Sequence, residues 1–421
     1  MTDDQRARSP RASMREGPLS ELFRNTEAMS AAPRPADEPA PEAPRAQGHD
    51  FGARIRVVGI GGGGCNAVDR MIEAGLRGVE FIAVNTDRQA LDSCSADVRI
   101  PVGFELTKGL GTGGDPAKGE QAVRESEDHL RAALKGSDLV FIAAGEGGGT
   151  GSGGAPGVAR VAREVGALTV AVVTRPFAFE GAKRGRMADE GLKKLHDAAD
   201  TVIVVPNDRL MSVLERGTSM VDALRVCDDL LRQGVQGICD IITLPGLINL
   251  DFADVRTVIR GAGTALLGIG YSGGGNRAAE AARAAISSPL LETPIDGAKG
   301  VLIGITGGPD LSLMEVSEAA NVVAEAADAD ANIIFGASID PELSGQVWVT
   351  VVAANFTGVR SVPEVPAEEP TEVHTSRGVR QVPRLAVAPP SSAHGPVGSA
   401  PVAAPSVFAH AGSPTATARD A

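Results

Sequence analysis

From Arg54 onward the apolar and polar positions fall into a repeating order. A short continuous apolar run is followed by a glycine-rich turn, and then by apolar residues spaced three or four apart. Arg54 to Ile60, Val79 to Val84, Asp138 to Ala144, Ala167 to Val173 and Thr201 to Val205 are runs of the first kind. Continuous Val, Ile, Leu and Ala without polar alternation reads as strands buried on both faces. Ala67 to Leu76, the stretch near Lys118 to Leu134 and the segment from Gly157 carry helical spacing. Strands alternating with helices predict an α/β fold, with a parallel sheet in a Rossmann-like arrangement. A long central helix is predicted from about Met220 to Ile242, stopping before Pro245 and Gly246. Beyond it, Val301 to Ile305, Asn332 to Phe335 and Gln346 to Val352 read as strands. Asn276 to Ser287 and Leu313 to Ala327 read as helices, which predicts a second, α+β domain.

Composition changes at both ends of this patterned region. Residues 1–50 hold seven prolines and few large apolar side chains, and residues from about 357 to 421 hold ten more. Such segments cannot bury enough apolar surface to fold, so both are expected to be disordered tails. Leu19 to Met29 could form an amphipathic docking turn within the first tail. The expected organisation is therefore a tail over 1–50, a nucleotide-binding domain over 51–218, the central helix and the loop after it over 219–260, an α+β domain over 261–356, and a tail over 357–421. The net charge of −13 argues against nucleic acid and anionic membrane as main partners. No apolar run reaches the roughly 18 residues of a membrane span. Cys65, Cys94, Cys227 and Cys239 show no C-x-x-C pairing and read as reduced thiols of a cytoplasmic protein.

The candidate chemistry lies in the turns. Gly145 to Pro156 is a glycine-rich stretch between a buried strand and a helix, with Thr150 and Ser152 adding hydroxyls. Without Cβ atoms the backbone can approach an anion closely, and free N–H groups with the helix dipole favour phosphate there. Gly59-x-Gly61-x-x-Gly64 and Lys108 to Pro116 are two more such loops. Three of them along the carboxyl edge of a parallel sheet suit a triphosphate better than a single pyrophosphate. No G-x-x-x-x-G-K-[ST] is present, so this is not a P-loop protein. Asp87, after the second strand, lies where an acid could hold a ribose hydroxyl, which supports a rival reading as a dinucleotide-dependent oxidoreductase. Glu180 and Arg184 share a helix face, as a binding pair or a solvated ion pair. Asn249, Asp251 and Asp254 put two carboxylates and an amide in one short loop. They can polarise a water or hold a cation, or an acid can cap the next helix.

Taken in order, these motifs are similar to those of a known family. Gly147 to Gly153 resembles the tubulin/FtsZ glycine signature, and Asn249 to Asp254 resembles the loop with which that family completes a neighbour's GTPase site. Gly61 to Val68, Val84 to Asp87, Pro176 to Gly181, Ile305 to Leu311 and Ala331 to Gly336 extend the likeness over about residues 54 to 355. The chain resembles the bacterial FtsZ branch, the cell-division GTPases, rather than eukaryotic tubulin. Glu146 and Arg175 are similar to its actinobacterial members.

The resemblance implies the tubulin/FtsZ fold, with GTP and Mg²⁺ as ligands. It implies that Gly62, Gly63, Gly64, Cys65 and Asn66 line the nucleotide, with Asn66 near the base, and that Asn85 and Asp87 belong to the same pocket. Gly149, Thr150 and Gly151 would bind phosphates, and Gly113 and Gly114 would sit by the γ-phosphate. Glu180 and Arg184 would contact ribose and phosphate, and Asp228 would read the guanine edge. Asn249, Asp251 and Asp254 would be catalytic, acting on the GTP of the next copy in a homopolymer filament at the mid-cell division site. Cys65 stands where the family usually has Gly or Asn, and Leu224 where Phe is common. The C-terminal tail lacks the family's short acidic-apolar-basic peptide. Contacts to membrane tethers and division proteins are therefore expected to be altered or moved to the N-terminal extension. A scaffold that binds nucleotide and polymerises but hydrolyses poorly is the third reading.

Overall fold

The computed structural model describes residues 53–356, apart from 212, 213, 215, 216, 244, 245, 249, 289, 290 and 292. The expected tails and Asn249 lie outside the described residues. The first half of the chain runs β1 (Ile55–Ile60), α1 (Gly61–Glu73), β2 (Val79–Asn85), α2 (Arg88–Ser93), β3 (Val98–Pro101), α3 (Phe104–Thr107), α4 (Pro116–Glu125), α5 (Glu127–Leu134), β4 (Leu139–Gly145), α6 (Gly149–Glu164), β5 (Leu168–Arg175), α7 (Ala182–Ala198), β6 (Thr201–Pro206) and α8 (Asn207–Leu210). The second runs α9 (Met220–Thr243), β7 (Gly246–Ile248), α10 (Phe252–Ile259), β8 (Gly263–Gly273), α11 (Arg277–Ile286), β9 (Ala298–Gly307), α12 (Leu313–Ala326), β10 (Asn332–Ile339) and β11 (Gln346–Phe356).

Among the described residues eleven strands form one sheet, in the order β3-β2-β1-β4-β5-β6-β8-β11-β9-β10-β7. From β3 to β6 every pairing is parallel. The apolar runs of the sequence are these strands, and β4 is buried from Leu139 to Ala144. The sheet continues through the short parallel pairing of β6 with β8, then turns mixed, with β11 antiparallel to both β8 and β9.

Helices cover both faces of the parallel half. On one side Ala67, Val68 and Met71 of α1 and Leu231, Val235 and Ile238 of α9 pack on Val57, Phe141 and Val172. On the other, α4 to α7 bury Val123, Leu130, Val158 and Leu192 against Val58, Ile142 and Val173. α9 sits close to the sheet because it carries glycines: a Cβ at Gly237 would lie 2.7 Å from Thr350 Cγ2. In the second half α11 and α12 close a third core over β8, β9 and β11. The buried Arg277 guanidinium ties them, pairing with Asp310 at 2.6 Å and Glu315 at 2.7 Å. That pairing holds the Glu315 carboxyl down at about 2.

The structure departs from the sequence-based expectations in four places. The glycines of Gly61 to Asn66 and Gly149 to Pro156 are not loops but the first turns of α1 and α6. Glycine is a poor helix former, but here contact decides: a Cβ at Gly153 would lie 2.0 Å from the Pro116 carbonyl oxygen and one at Gly151 2.4 Å from that of Gly145. The helix expected over Lys118 to Leu134 breaks at Ser126 into α4 and α5. The strand β8 was not anticipated, because its glycines interrupt the apolar run. They admit α11: a Cβ at Gly270 would lie 1.9 Å from the Ala281 carbonyl oxygen. Short β3 and β7 also escaped the apolar pattern.

The Gly270 contact is with backbone, which cannot swing aside. Gly270→Ala is expected to destabilise the protein by about 1–3 kcal/mol or more, read as a lower urea midpoint. An unchanged midpoint would show that α11 does not sit this close to β8.

Candidate functional site: a glycine-lined edge and a distant pair of acids

β1 is followed by β2 and β3 on one side, and the chain then returns to lay β4 on the other. The segments leaving β1 and β4 therefore diverge at a topological switch point, where an open α/β sheet forms its ligand crevice. Both segments here are helix starts. A Cβ at Gly61 would lie 3.1 Å from the Gly151 amide nitrogen, and one at Gly63 3.4 Å from that of Gly145. The residues before α1 and α6, Ile60 and Gly148, supply no side-chain cap. By contrast Asp87, Asp115, Asp251 and Ser312 cap α2, α4, α10 and α12. Two uncapped N-termini side by side leave N–H donors and positive dipole ends directed at one place, which favours an anion.

The third glycine loop closes the same edge. Gly113 and Gly114 have φ of 63° and 76°, are exposed, and would meet nothing within 4 Å if they carried a Cβ. Gly62 and Gly148 face open space in the same way. The loop is anchored to α6: a Cβ at Gly149 would lie 2.1 Å from Thr112 Oγ1. Thr150 is buried, its hydroxyl hydrogen-bonded to that of Thr86 at 2.7 Å, which ties the end of β2 to the first turn of α6.

Several expected residues hold this edge together rather than face it. A Cβ at Gly64 would lie 2.3 Å from the Ala143 carbonyl oxygen, so Gly64 docks α1 on the sheet. Cys65 is buried in the core, near Cys94 and with its Sγ 3.9 Å from Asn85 Nδ2. Asn85 is buried too, and its Oδ1 accepts the Asp87 N–H at 3.2 Å. Asp87, the acid behind the oxidoreductase reading, accepts the Ala90 N–H at 3.1 Å as the cap of α2. Asn66 is exposed on the first turns of α1.

Beyond the glycine loops, β5 and α9 bring in more polar groups. Glu180 ends a 3₁₀ turn, Ala178–Glu180, before α7. It accepts the Phe177 N–H at 2.9 Å and pairs with exposed Arg184. Asp228 lies on α9 beside Cys227, whose thiol is pushed up to about 12 by burial and by the nearby Asp228 and Glu180 carboxylates. The three therefore converge. Asp228 is half-buried, and burial pushes its carboxyl up to about 7, with Arg70 of α1 pulling it partly back. Leu224, one turn earlier on the same helix, is exposed. Asn207 at the end of β6 did not stand out in the sequence, yet it is buried with Oδ1 unpartnered among the described residues. Its place at the carboxyl end of a parallel strand was the available signal.

Asp251 and Asp254 lie at the other edge of the sheet. Asp251 caps α10, accepting the Ala253 N–H at 3.1 Å, and Asp254 is in the first turn. Both are exposed. α10 is fastened at the amino ends of β5 and β6: Arg256 donates to the Gly166 carbonyl at 3.4 Å, and the Thr201 hydroxyl donates to the Ile259 carbonyl. From Asp228 to Thr243, where α9 ends, the helix rises about 22 Å. One chain does not bring these carboxylates to its own glycine edge.

Comparison with known proteins identifies the family. The family model described as tubulin/FtsZ family, GTPase domain, matches residues 54–215, and that described as FtsZ family, C-terminal domain, matches residues 263–357. An FtsZ dimer of M. jannaschii, solved empty, is 45% identical over 73% of this chain and 89% of that one, with a TM-score of 0.70. CetZ2 of Haloferax volcanii, solved as a GTPγS-bound protofilament, shares the fold at 24% identity and a TM-score of 0.61, over 71% of this chain and 92% of that one. The chain belongs to the tubulin/FtsZ family of GTPases, and its C-terminal domain is of the FtsZ kind.

Proposed function

We propose that this protein binds GTP at the glycine edge and hydrolyses it when a second copy, docked head to tail, supplies Asp251 and Asp254. The observation that carries this reading is the separation of the two groups: uncapped glycine-rich helix starts at the carboxyl ends of the strands, exposed carboxylates at the amino ends. A contact between unlike ends builds a filament where its rotation does not close on itself. Apolar side chains are exposed at both ends, Leu110, Phe179, Met220 and Leu224 near the glycine edge and Leu247 and Phe335 near α10. The filaments would form the division ring at mid-cell in the cytoplasm, with other division proteins reached through the tails.

In this reading the N–H groups of Gly62, Gly63, Gly149, Thr150 and Gly151 hold the phosphates, and Gly113 and Gly114 border the terminal one. Glu180 and Arg184 meet the ribose and phosphates. Asp228, with Asn207, reads the guanine edge, where a carboxylate accepts from N1–H and N2–H and disfavours adenine. Asp251 is oriented by its bond to Ala253, and Asp254 stands free on the first turn. Together with Asn249 they would position the attacking water and take its proton, since phosphoryl transfer needs mainly alignment and charge stabilisation. Among the described residues no group of three or more His, Cys, Asp or Glu converges on a cation site. A Mg²⁺ carried by the nucleotide would neutralise phosphate charge.

Three outcomes are expected. GTP turnover per subunit should rise steeply above a critical protein concentration, together with light scattering; turnover independent of concentration would place the whole site in one chain. Asp254→Ala should lower turnover at least about 100-fold while GTP binding and filaments persist. Unchanged turnover would favour the scaffold reading, and loss of GTP binding would break the division of labour. Asp228→Ala should weaken GTP binding about 10- to 100-fold and reduce discrimination against ATP, as expected for loss of charge-assisted hydrogen bonds, measured by competition titration.

A further inference from the structure

Glu146 is a buried acid that the hydrolytic chemistry does not use. It follows Gly145, the last residue of β4, and precedes Gly147 and Gly148, the turn that opens α6. Its side chain points inward. It is 5% exposed, and neither carboxylate oxygen makes a hydrogen bond of good geometry. Three elements enclose it. β5 meets it through the backbone, the Glu146 N–H donating to the Thr174 carbonyl at 2.9 Å. α6 presents the Ser152 hydroxyl, which already accepts the Gly147 N–H at 2.7 Å. α7 presents Gly191, where a Cβ would fall 2.4 Å from Glu146 Oε2, so this glycine leaves the space that the carboxyl fills.

Among the described residues no cation pairs with the acid. Arg175 of β5 pairs with Asp189, and Arg184 and Lys194 of α7 pair with Glu180 and Glu120. Burial pushes the carboxyl up to about 7, and the Ser152 hydroxyl pulls it partly back; no charged side chain of α6 or α7 contributes. The N–H groups of the turn that carries Glu146 belong to the edge assigned to phosphate. A carboxylate at the base of that turn would place negative charge under the phosphates, in surroundings of low dielectric.

We propose that Glu146 is a positioning residue that is held as a neutral acid while nucleotide is bound, so that nucleotide binding takes up a proton there and weakens as pH rises. The inference rests on the GTP-binding reading of the glycine edge. Below the free protein's titration range Glu146 is already neutral and binding takes up nothing at this group. Above it, each binding event must protonate the acid, and by linkage the dissociation constant rises by up to about tenfold per pH unit. Asp228 titrates in the same range with the opposite sign, because guanine N–H donors favour its carboxylate. The phosphates of the nucleotide also titrate. Neither depends on residue 146, so the difference between wild type and Glu146→Gln isolates the proposed group.

The test is calorimetric titration of the nucleotide-free full-length chain with GDP, from about pH 6 to about pH 9, in two buffers of different ionisation enthalpy. Glu146→Gln should bind like wild type at the acid end and about 100-fold tighter than wild type at the alkaline end, about tenfold for each pH unit above neutrality. Wild type should take up close to one proton more per subunit. Identical pH profiles and proton counts would overturn the proposal. If Glu146→Gln does not fold, infrared difference spectra of wild type at about pH 8 decide: a protonated-carboxyl band gained on adding GDP supports the proposal, and no such band overturns it. Failure of wild type to bind GDP at any pH would instead sink the nucleotide reading itself, and this inference with it.

Discussion

The contact that the rest of the structure depends on is made between glycine backbones at the switch point of β1 and β4. Gly61 touches the first turn of α6, Gly63 faces Gly145, and Gly64 rests on Ala143. A single methyl group at Gly64 or Gly151 would meet a carbonyl oxygen of β4 at 2.3 or 2.4 Å and push its helix start off the strand. Held together, they place two positive dipole ends side by side with no capping side chain, an arrangement that is unfavourable until an anion joins it. The same packing that defines the core therefore forms the uncapped edge that the proposed reading assigns to phosphate.

α9 carries this constraint across the molecule. Its first half forms one wall of the glycine edge through Cys227 and Asp228, its middle lies against β5 and β8 at Gly234, and its last turns reach Gly304 of β9. The helix is a rod of fixed length, so the distance from the glycine edge to the acids of α10 is set by covalent geometry rather than by loop conformation. A split site needs such a rod. If the acids could swing to their own nucleotide, hydrolysis would not depend on assembly.

Much of the fold was legible in the sequence, because continuous apolar runs followed by glycine report buried parallel strands and the turns at their carboxyl ends. The helix starts at Gly61 and Gly149 were not legible. Propensity argues against helix in a glycine run, and only the packing of α4, β4 and the Thr112 segment around α6 reverses that preference. For the same reason β8 was missed, its Gly268 and Gly270 being contacts with α11 rather than breaks. Spacing along the chain also could not say which way a side chain turns. Cys65 and Asn85 sit in the right segments but face the core, and Asp87 is engaged as a cap. Asp251 shows the opposite case: both of its possible roles, cap and free acid, are compatible, because capping uses one carboxylate oxygen and leaves the other.

The two acids near the glycine edge, Glu146 and Asp228, are both pushed up by burial, yet their surroundings give them different work. Asp228 is half-exposed at an open edge, beside Arg70, where hydrogen-bond donors from a purine can make its charged form the stable one. Glu146 is sealed behind the turn by Gly191 and Ser152, where no donor from a ligand can reach it, so only its neutral form is compatible with a multiply charged ligand in front. In the proposed reading base recognition would draw on a carboxylate and phosphate binding on a carboxylic acid, a few residues from the same strand ends. Pairs of titratable groups pushed in one direction by burial but resolved in opposite directions by a ligand make binding nearly insensitive to pH where the two effects cancel, and steeply sensitive outside that window.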